Sequence, residues 1–550
     1  MTSERVSKRT DSEQALISAK AWLDCCLTDH PEDGWCSSEI TAKLPRRVVD
    51  IGDESIKLVE TVGEVDSYIC LSHCWGPAQI ITTTRETLEE RKRQIRPEDL
   101  SQTFKDAVEI TRRLGVRYIW IDSLCILQGD KEDWAAEGAN MANIYRNAYL
   151  TIAATRGRGG QDGLFGATPD SEVAGTTPTG EPFSLFFRER IDHKLSFETG
   201  SGGEGPAAHF RESSSKRFPL LTRAWVLQER LLSPRVLHFG PYELFWECHA
   251  AVCCECDGIR SLGRGSQTPL PAPKLLHSSA VDPLAGAGVP TYFVQRAWRT
   301  IVADYVCLDL TVPTDRLPAL GGLARNIAEK RSRRYVAGLF EDSLSDDLLW
   351  YVTSTPAGRK PRASTWRAPS WSWASVDGMV SYRDLLYYWD DDIEYDDQED
   401  FTHFAKIEEV GTIATGVDEF GELGGGFLRV SGLTATAVVE RRAADNGGVT
   451  FGACFADGSA LDVFPDYDWD ISGIGHLPPG SEVICLRMSR LRAGPDDYWV
   501  WLVFRRASQN GDKHERVGAL HVVTKVSEGG SAVSDEGIHH NGVEQILEVV

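Results

Sequence analysis

Two short apolar segments of this chain run into side chains that could do chemistry. Residues 68–72, YICLS, lead into His73, Cys74, Trp75 and Gly76, and residues 116–121 lead into Asp122. A carboxylate or a polar loop at the carboxyl end of a buried strand sits where ligands of open α/β sheets bind. The plainer reading of the first segment is a packed turn with Gly76 at a special backbone angle. A nucleophilic Cys74 would need a base beside it in space, which adjacency to His73 does not supply. Further on, Trp225 and Glu229 are spaced i, i+4 and meet over one helical turn. The plainer reading of Glu229 is a surface carboxylate paired with Arg223 or Arg230. Two groups carry donors suited to zinc: Cys25, Cys26, His30 and Cys36, then Cys248, His249, Cys253, Cys254 and Cys256. Neither group has a second Cys/His pair at finger spacing, so both read as reduced, buried thiols and no metal is expected.

The elements that must position these residues centre on residues 114–154. A strand over 116–121 follows Gly115, and Asp122 closes it. Asp130 reads as an N-cap with Asp133 three residues on. Trp134, Gly138, Met141 and Tyr145 then mark one helical face, and residues 149–154 form a second strand. A β-α-β unit of this length favours a parallel sheet. Upstream, residues 45–60 read as a hairpin and residues 101–114 as an amphipathic helix stopped by Gly115. Downstream, a helix with Ala224, Leu227 and Leu231 as its buried stripe ends at Pro234, and strands follow over 236–239 and 244–247. Alternating strands and helices are the grammar of a doubly wound sheet. Residues 156–219, rich in Gly, Ser, Thr and charge, read as an irregular insertion.

The rest of the chain carries fewer signals. Residues 1–14 read as a disordered tail before a helix over 15–27, and 261–290 as a linker. Helices are expected over 292–308 and 316–329, and the acidic run 390–400 reads as a solvated loop. From Phe427 onward, alternating apolar segments separated by Gly, Asp and Pro imply an antiparallel β module. The expected divisions are 1–39, a tail and helix; 40–260, the α/β domain with its insertion; 261–400, linker and helices; and 401–550, the β-rich module.

Composition bounds the function classes. Lys and Arg total 58 against 81 Asp and Glu, a net charge of −23, which argues against a broad nucleic-acid surface or anionic-membrane surface. The amino terminus lacks the apolar core of a secretory signal, and no run reaches the roughly 18 apolar residues of a membrane helix. Thirteen Cys without regular spacing suggest reduced thiols and a cytoplasmic protein. No P-loop, GxGxxG, GxSxG or HExxH motif is present.

The segments YICLSHCWG, LSQTFKDAVEITRRLGVRYIWIDSLCILQGDKEDWAAEGANMANIYRNAYLTIAA, GLF at 163–165 and RAWVLQERLLSPRVLHF occur in order. Together they resemble the successive blocks of the fungal heterokaryon incompatibility (HET) domain. WLDCCL and LPRRVVDIG upstream, and YVAGLF and APSWSWASVDG downstream, also resemble long fungal HET proteins. His73 departs from the aromatic residue often found after LS in that family. The resemblance implies non-self recognition and programmed cell death. HET domains are in turn distantly similar to TIR domains, which implies a flavodoxin-like parallel sheet and hydrolysis of NAD by one glutamate, often in a Trp-Cys-x-x-Glu helix. Here Trp225-Val-Leu-Gln-Glu229 keeps the Trp and Glu and replaces the Cys by Val226. The resemblance thus points to Glu229 as the catalytic carboxylate, with Glu137, beside Trp134, as the alternative. Ser72, Trp75, Gly76, Asp122 and Trp225 are the expected ligand-binding residues. NAD enters as substrate rather than cofactor. The alternative is a non-enzymatic signalling module that acts by self-association or partner binding.

Overall fold

The computed structural model describes residues 6–31, 36–52, 55–78, 80–189, 216–257, 260–262, 273–281, 291–353, 358–382, 401–416, 418–443, 449–493, 496–507, 512–525 and 542–550. The described residues divide into two units, one reaching to Val294 and the other beginning at Gln295.

The first unit is built on a nine-stranded mixed sheet. Its strands are β1 (Arg47–Asp50), β2 (Lys57–Glu60), β3 (Tyr68–Ser72), β4 (Tyr118–Trp120), β5 (Leu150–Ala153), β6 (Arg235–Phe239), β7 (Leu244–Cys248), β8 (Ala251–Cys254) and β9 (Arg260–Leu262), in the spatial order 9-8-7-6-5-3-4-1-2. The four central strands, 6-5-3-4, are mutually parallel, and every flanking pair is antiparallel. β3, β5, β6 and β7 are buried along their whole length, as a sheet covered on both faces requires.

Helix α1 (Glu13–Thr28) precedes the sheet, with Ser12 as its N-cap. α2 (Gln102–Arg113) links β3 to β4, capped by Ser101, whose hydroxyl accepts from the Phe104 amide. α3 (Lys131–Arg146) links β4 to β5, and Asp130 caps it by accepting from the Glu132 and Asp133 amides. α4 (Ala224–Leu232) links β5 to β6. The chain leaves β3 toward β4 and then returns past it to β5. Right-handed crossovers therefore put α2 on one face and α3 and α4 together on the other.

Several expectations change. The buried side of α3 is not the Trp134 face. Trp134 is 47% exposed, and Asp133, Glu137, Ile144 and Tyr145 face inward, because the two carboxylates approach the buried Arg47 of β1. Residues 6–14, read as a disordered tail, include buried Val6, Ser7 and Thr10, and Ser7 Oγ donates to Glu255 Oε1 at 2.7 Å. The insertion contains an exposed hairpin, Asp170–Thr176 paired with Pro182–Arg188, turning at Gly180 with φ +88°; its residues 190–215 lie outside the described set. The stretch read as a linker contains helix α5 (Pro273–Val281), whose Lys274 Nζ donates to the Arg230 and Ser233 carbonyls at the end of α4. Lys274 thus supplies the C-terminal cation that a helix dipole favours. The acidic run 390–400 falls outside the described residues.

The second unit contains α6 (Thr291–Tyr305), in which the division falls, α7 (Pro318–Arg331), and a β-rich sheet from residue 401. The longest strand of that sheet, Leu423–Ala443, pairs with Val449–Phe455 on one side and with Glu482–Ala493 on the other. Pairings through Ala460–Pro465, Lys513–Lys525 and Asp496–Arg506 complete the circuit. Six antiparallel strands thus close into a ring around a core that includes Phe451, Trp469, Cys485 and Trp501. The sequence reading of an antiparallel β module matches this sheet, whereas its closure carries no local signal.

Candidate active site

Ser72, Asp122, Trp75 and Glu229 meet at the carboxyl ends of the parallel strands, beside the point where strand order reverses around β3. Ser72 is the last residue of β3 and stands level with Ala153 of β5. Its side chain faces α4, where Oγ donates to Glu229 Oε2 at 2.5 Å. Tyr145 of α3 lies close by, its hydroxyl donating to the Leu71 carbonyl at 3.5 Å. Alternation along the strand turns His73 to the opposite face, where its ring meets Phe104 of α2 edge-on, centroids 5.0 Å apart. Asp122, two residues beyond β4, accepts from Trp75 Nε1 at 2.8 Å and lies 3.8 Å from His73 Nδ1. Arg223, just before α4, donates to the His73 carbonyl at 2.8 Å.

Exposure grades across the site. Ser72 is 2% exposed and Glu229 8%, while the Asp122 side chain is 28% exposed and Trp75 is half-buried. Burial pushes the Glu229 carboxyl up to about 7. The Ser72 hydroxyl, the Arg223 charge and Tyr145 favour the carboxylate and oppose that rise, while the negative Asp122 adds to it. Burial lowers His73 below the ordinary imidazole value, so the ring is neutral near pH 7. The site therefore holds a carboxyl poised near neutrality, a serine donor, and a more exposed carboxylate locked to an indole. A carboxyl raised in this way is suited to proton transfer or to stabilising a developing cation.

The remaining candidate residues fall out differently. Gly76 has φ +72°, and a Cβ there would stand 2.7 Å from the Gly159 Cα, so a close backbone approach explains the glycine. Trp225 is half-buried on α4. Glu137 lies away from this group, with Oε1 3.8 Å from Arg47 Nη2 in a buried cluster that includes the Arg47–Asp133 ion pair. Burial raises the Cys74 thiol, the wrong direction for a thiolate nucleophile. Glu229 is not the surface partner of an arginine. Arg230 instead pairs with the buried Glu247 of β7, and Arg223 turns to the His73 carbonyl. Tyr145 and Arg223 are site residues that sequence reasoning missed. Tyr145 looked like helix core, and only the packing of α3 against α4 brings it to Glu229.

The cysteine groups also regroup. Cys248 leaves its sequence neighbours and joins Cys26, His30 and Cys36, their ligand atoms all within 4.8 Å of one another, while Cys254 and Cys256 gather with Glu243. Strand β7 separates the two sets, since Cys248 and Glu243 lie at its opposite ends.

In comparisons with known proteins, a family model described as heterokaryon incompatibility protein (HET) matches residues 68–229. No curated protein and no solved structure matches the chain. The matched segment runs from the first residue of β3 to Glu229 and so contains all four residues that meet at the site. Residues 68–229 of this chain are a heterokaryon incompatibility (HET) domain.

Proposed function

We propose that the HET domain binds NAD at the carboxyl ends of β3 and β4 and hydrolyses its nicotinamide–ribose bond, as the effector step of fungal non-self recognition and cell death. The observation that carries this reading is the Ser72–Glu229 hydrogen bond beside the Trp75–Asp122 pair, at the reversal of strand order. Ligands of open α/β sheets bind in that crevice. The parallel strands, numbered along the chain, run 2-1-3-4, the order of the first four strands of a flavodoxin-like sheet, which fits the TIR-like comparison.

The chemistry asks little of the protein. Cleaving the C1′–N bond sends the bonding pair to nicotinamide, which leaves neutral, and positive charge builds on the ribose. A carboxylate beside C1′ stabilises that oxocarbenium-like state, as in glycosidases. Water then adds to C1′ and releases a proton, giving ADP-ribose. Glu229 takes the carboxylate role, positioned by Ser72, while Trp75 offers a ring face to a flat base and Asp122 an acceptor for ribose hydroxyls.

The test is nicotinamide release from NAD by the full-length protein beside Glu229→Ala and Glu137→Ala. Release lost with Glu229→Ala and kept with Glu137→Ala supports the reading. No release by the unaltered protein, even at concentrations that favour assembly, removes it in favour of a non-enzymatic module acting through self-association or a protein partner.

A further inference from the structure

The strongest unassigned feature lies at the other end of the sheet. Cys26 is in the last turn of α1, His30 follows the helix, Cys36 comes six residues later, and Cys248 ends β7, 218 residues beyond His30. The three thiols are buried. His30 Nδ1 lies 3.4 Å from Cys248 Sγ and 3.7 Å from Cys36 Sγ, and all four donor atoms lie within 4.8 Å of one another.

These spacings suit the edges of a coordination tetrahedron. Zn–S bonds of about 2.3 Å and Zn–N bonds of about 2.0–2.1 Å, opened to the tetrahedral angle, put sulfur and nitrogen about 3.6 Å apart. Four donor atoms converge on one point, which thiols packed singly as small apolar groups do not require. The surroundings hold the donors in place. Arg235, which opposes Cys248 in the β6–β7 register, donates to the Ser37 carbonyl and so fixes the backbone next to Cys36. Arg235 begins β6, so the group sits at the amino ends of the parallel strands, away from Glu229.

We propose that Cys26, His30, Cys36 and Cys248 bind one zinc ion as a closed structural site that pins α1 to the sheet. Three cysteines and one histidine fill the tetrahedron and leave no position for substrate, the donor set of structural rather than catalytic zinc. Binding displaces the thiol protons to solvent and uses His30 as the neutral imidazole through Nδ1. Cys25 is excluded from the set, since its Sγ approaches the other ring nitrogen, 3.8 Å from Nε2.

The experiment is metal analysis of the full-length protein produced with zinc in the medium, together with X-ray absorption at the zinc edge. One zinc per chain with a shell of three sulfurs and one nitrogen is expected. Cys36→Ser and Cys248→Ser should lower zinc content to well below half, while Cys25→Ser retains it. Unaltered protein without stoichiometric zinc, a shell dominated by oxygen, or equal loss with Cys25→Ser would overturn the assignment. So would a mass showing Cys36 or Cys248 in a disulfide. The absorption measurement needs no variant, so a misfolded substitution does not blunt the test.

Discussion

Glu229→Gln should stabilise the protein at neutral pH and leave it unchanged in mild acid. The carboxyl is held at about 7 in the folded chain against an ordinary value of 4.5, chiefly by burial. Below about pH 4 both folded and unfolded chains carry the proton, and the group costs nothing. As pH rises, the unfolded chain releases its proton first while the folded chain keeps it, so stability falls from about pH 4.5 to about pH 7 and is level above. At about 1.4 kcal/mol for each pH unit between the two values, the loss amounts to about 3 kcal/mol. Glutamine removes the titration yet still offers an oxygen to Ser72 Oγ. Urea unfolding of both proteins across this range should show a difference near zero in acid that grows to about 3 kcal/mol in favour of the variant at about pH 8. Other titrating groups cancel in the difference. A difference that stays constant with pH, or a variant that grows less stable than the parent as pH rises, would refute the burial argument for Glu229.

If the carboxylate is the working form, kcat/KM for nicotinamide release should rise with pH through about 7 and level off; a rate that falls across that range would assign the protonated form instead. Arg47→Leu leaves the Asp133 and Glu137 carboxyls without their buried cation and should cost about 3–5 kcal/mol in denaturant unfolding. Gly76→Ala forces a Cβ against the Gly159 backbone at a positive φ, so a loss of about 1–3 kcal/mol is expected, read by the same unfolding measurement.

The parts of the fold that were legible in the sequence are those whose signals are local. Amphipathic periodicity announced α2, the Asp130 cap announced α3, and the apolar runs of β3, β4 and β5 announced buried parallel strands. Ser72, Trp75, Asp122 and Glu229 could be named because strand ends and a helical i, i+4 pair are readable. What they touch was not readable. The Glu229 partner is Ser72, 157 residues earlier, and Tyr145 comes near them only through helix packing. The polar buried side of α3 misled periodicity, because Asp133 and Glu137 are drawn in by Arg47 from a different strand. Cys26, His30 and Cys36 were named as donors suited to zinc, but their grouping with Cys248 was not readable, for the same reason. A search for finger spacing examines neighbours, and its fourth donor arrives on β7.

The Ser7–Glu255 hydrogen bond, which joins residues 248 positions apart, has a consequence for synthesis. At roughly 5–20 residues per second, about 12–50 s pass between translation of the first partner and of the second. Throughout that interval the amino-terminal segment has none of its β7–β8 contacts, because those strands do not yet exist. On the ribosome this unit therefore closes late over the segment around Ser7, which waits for partners made long after it.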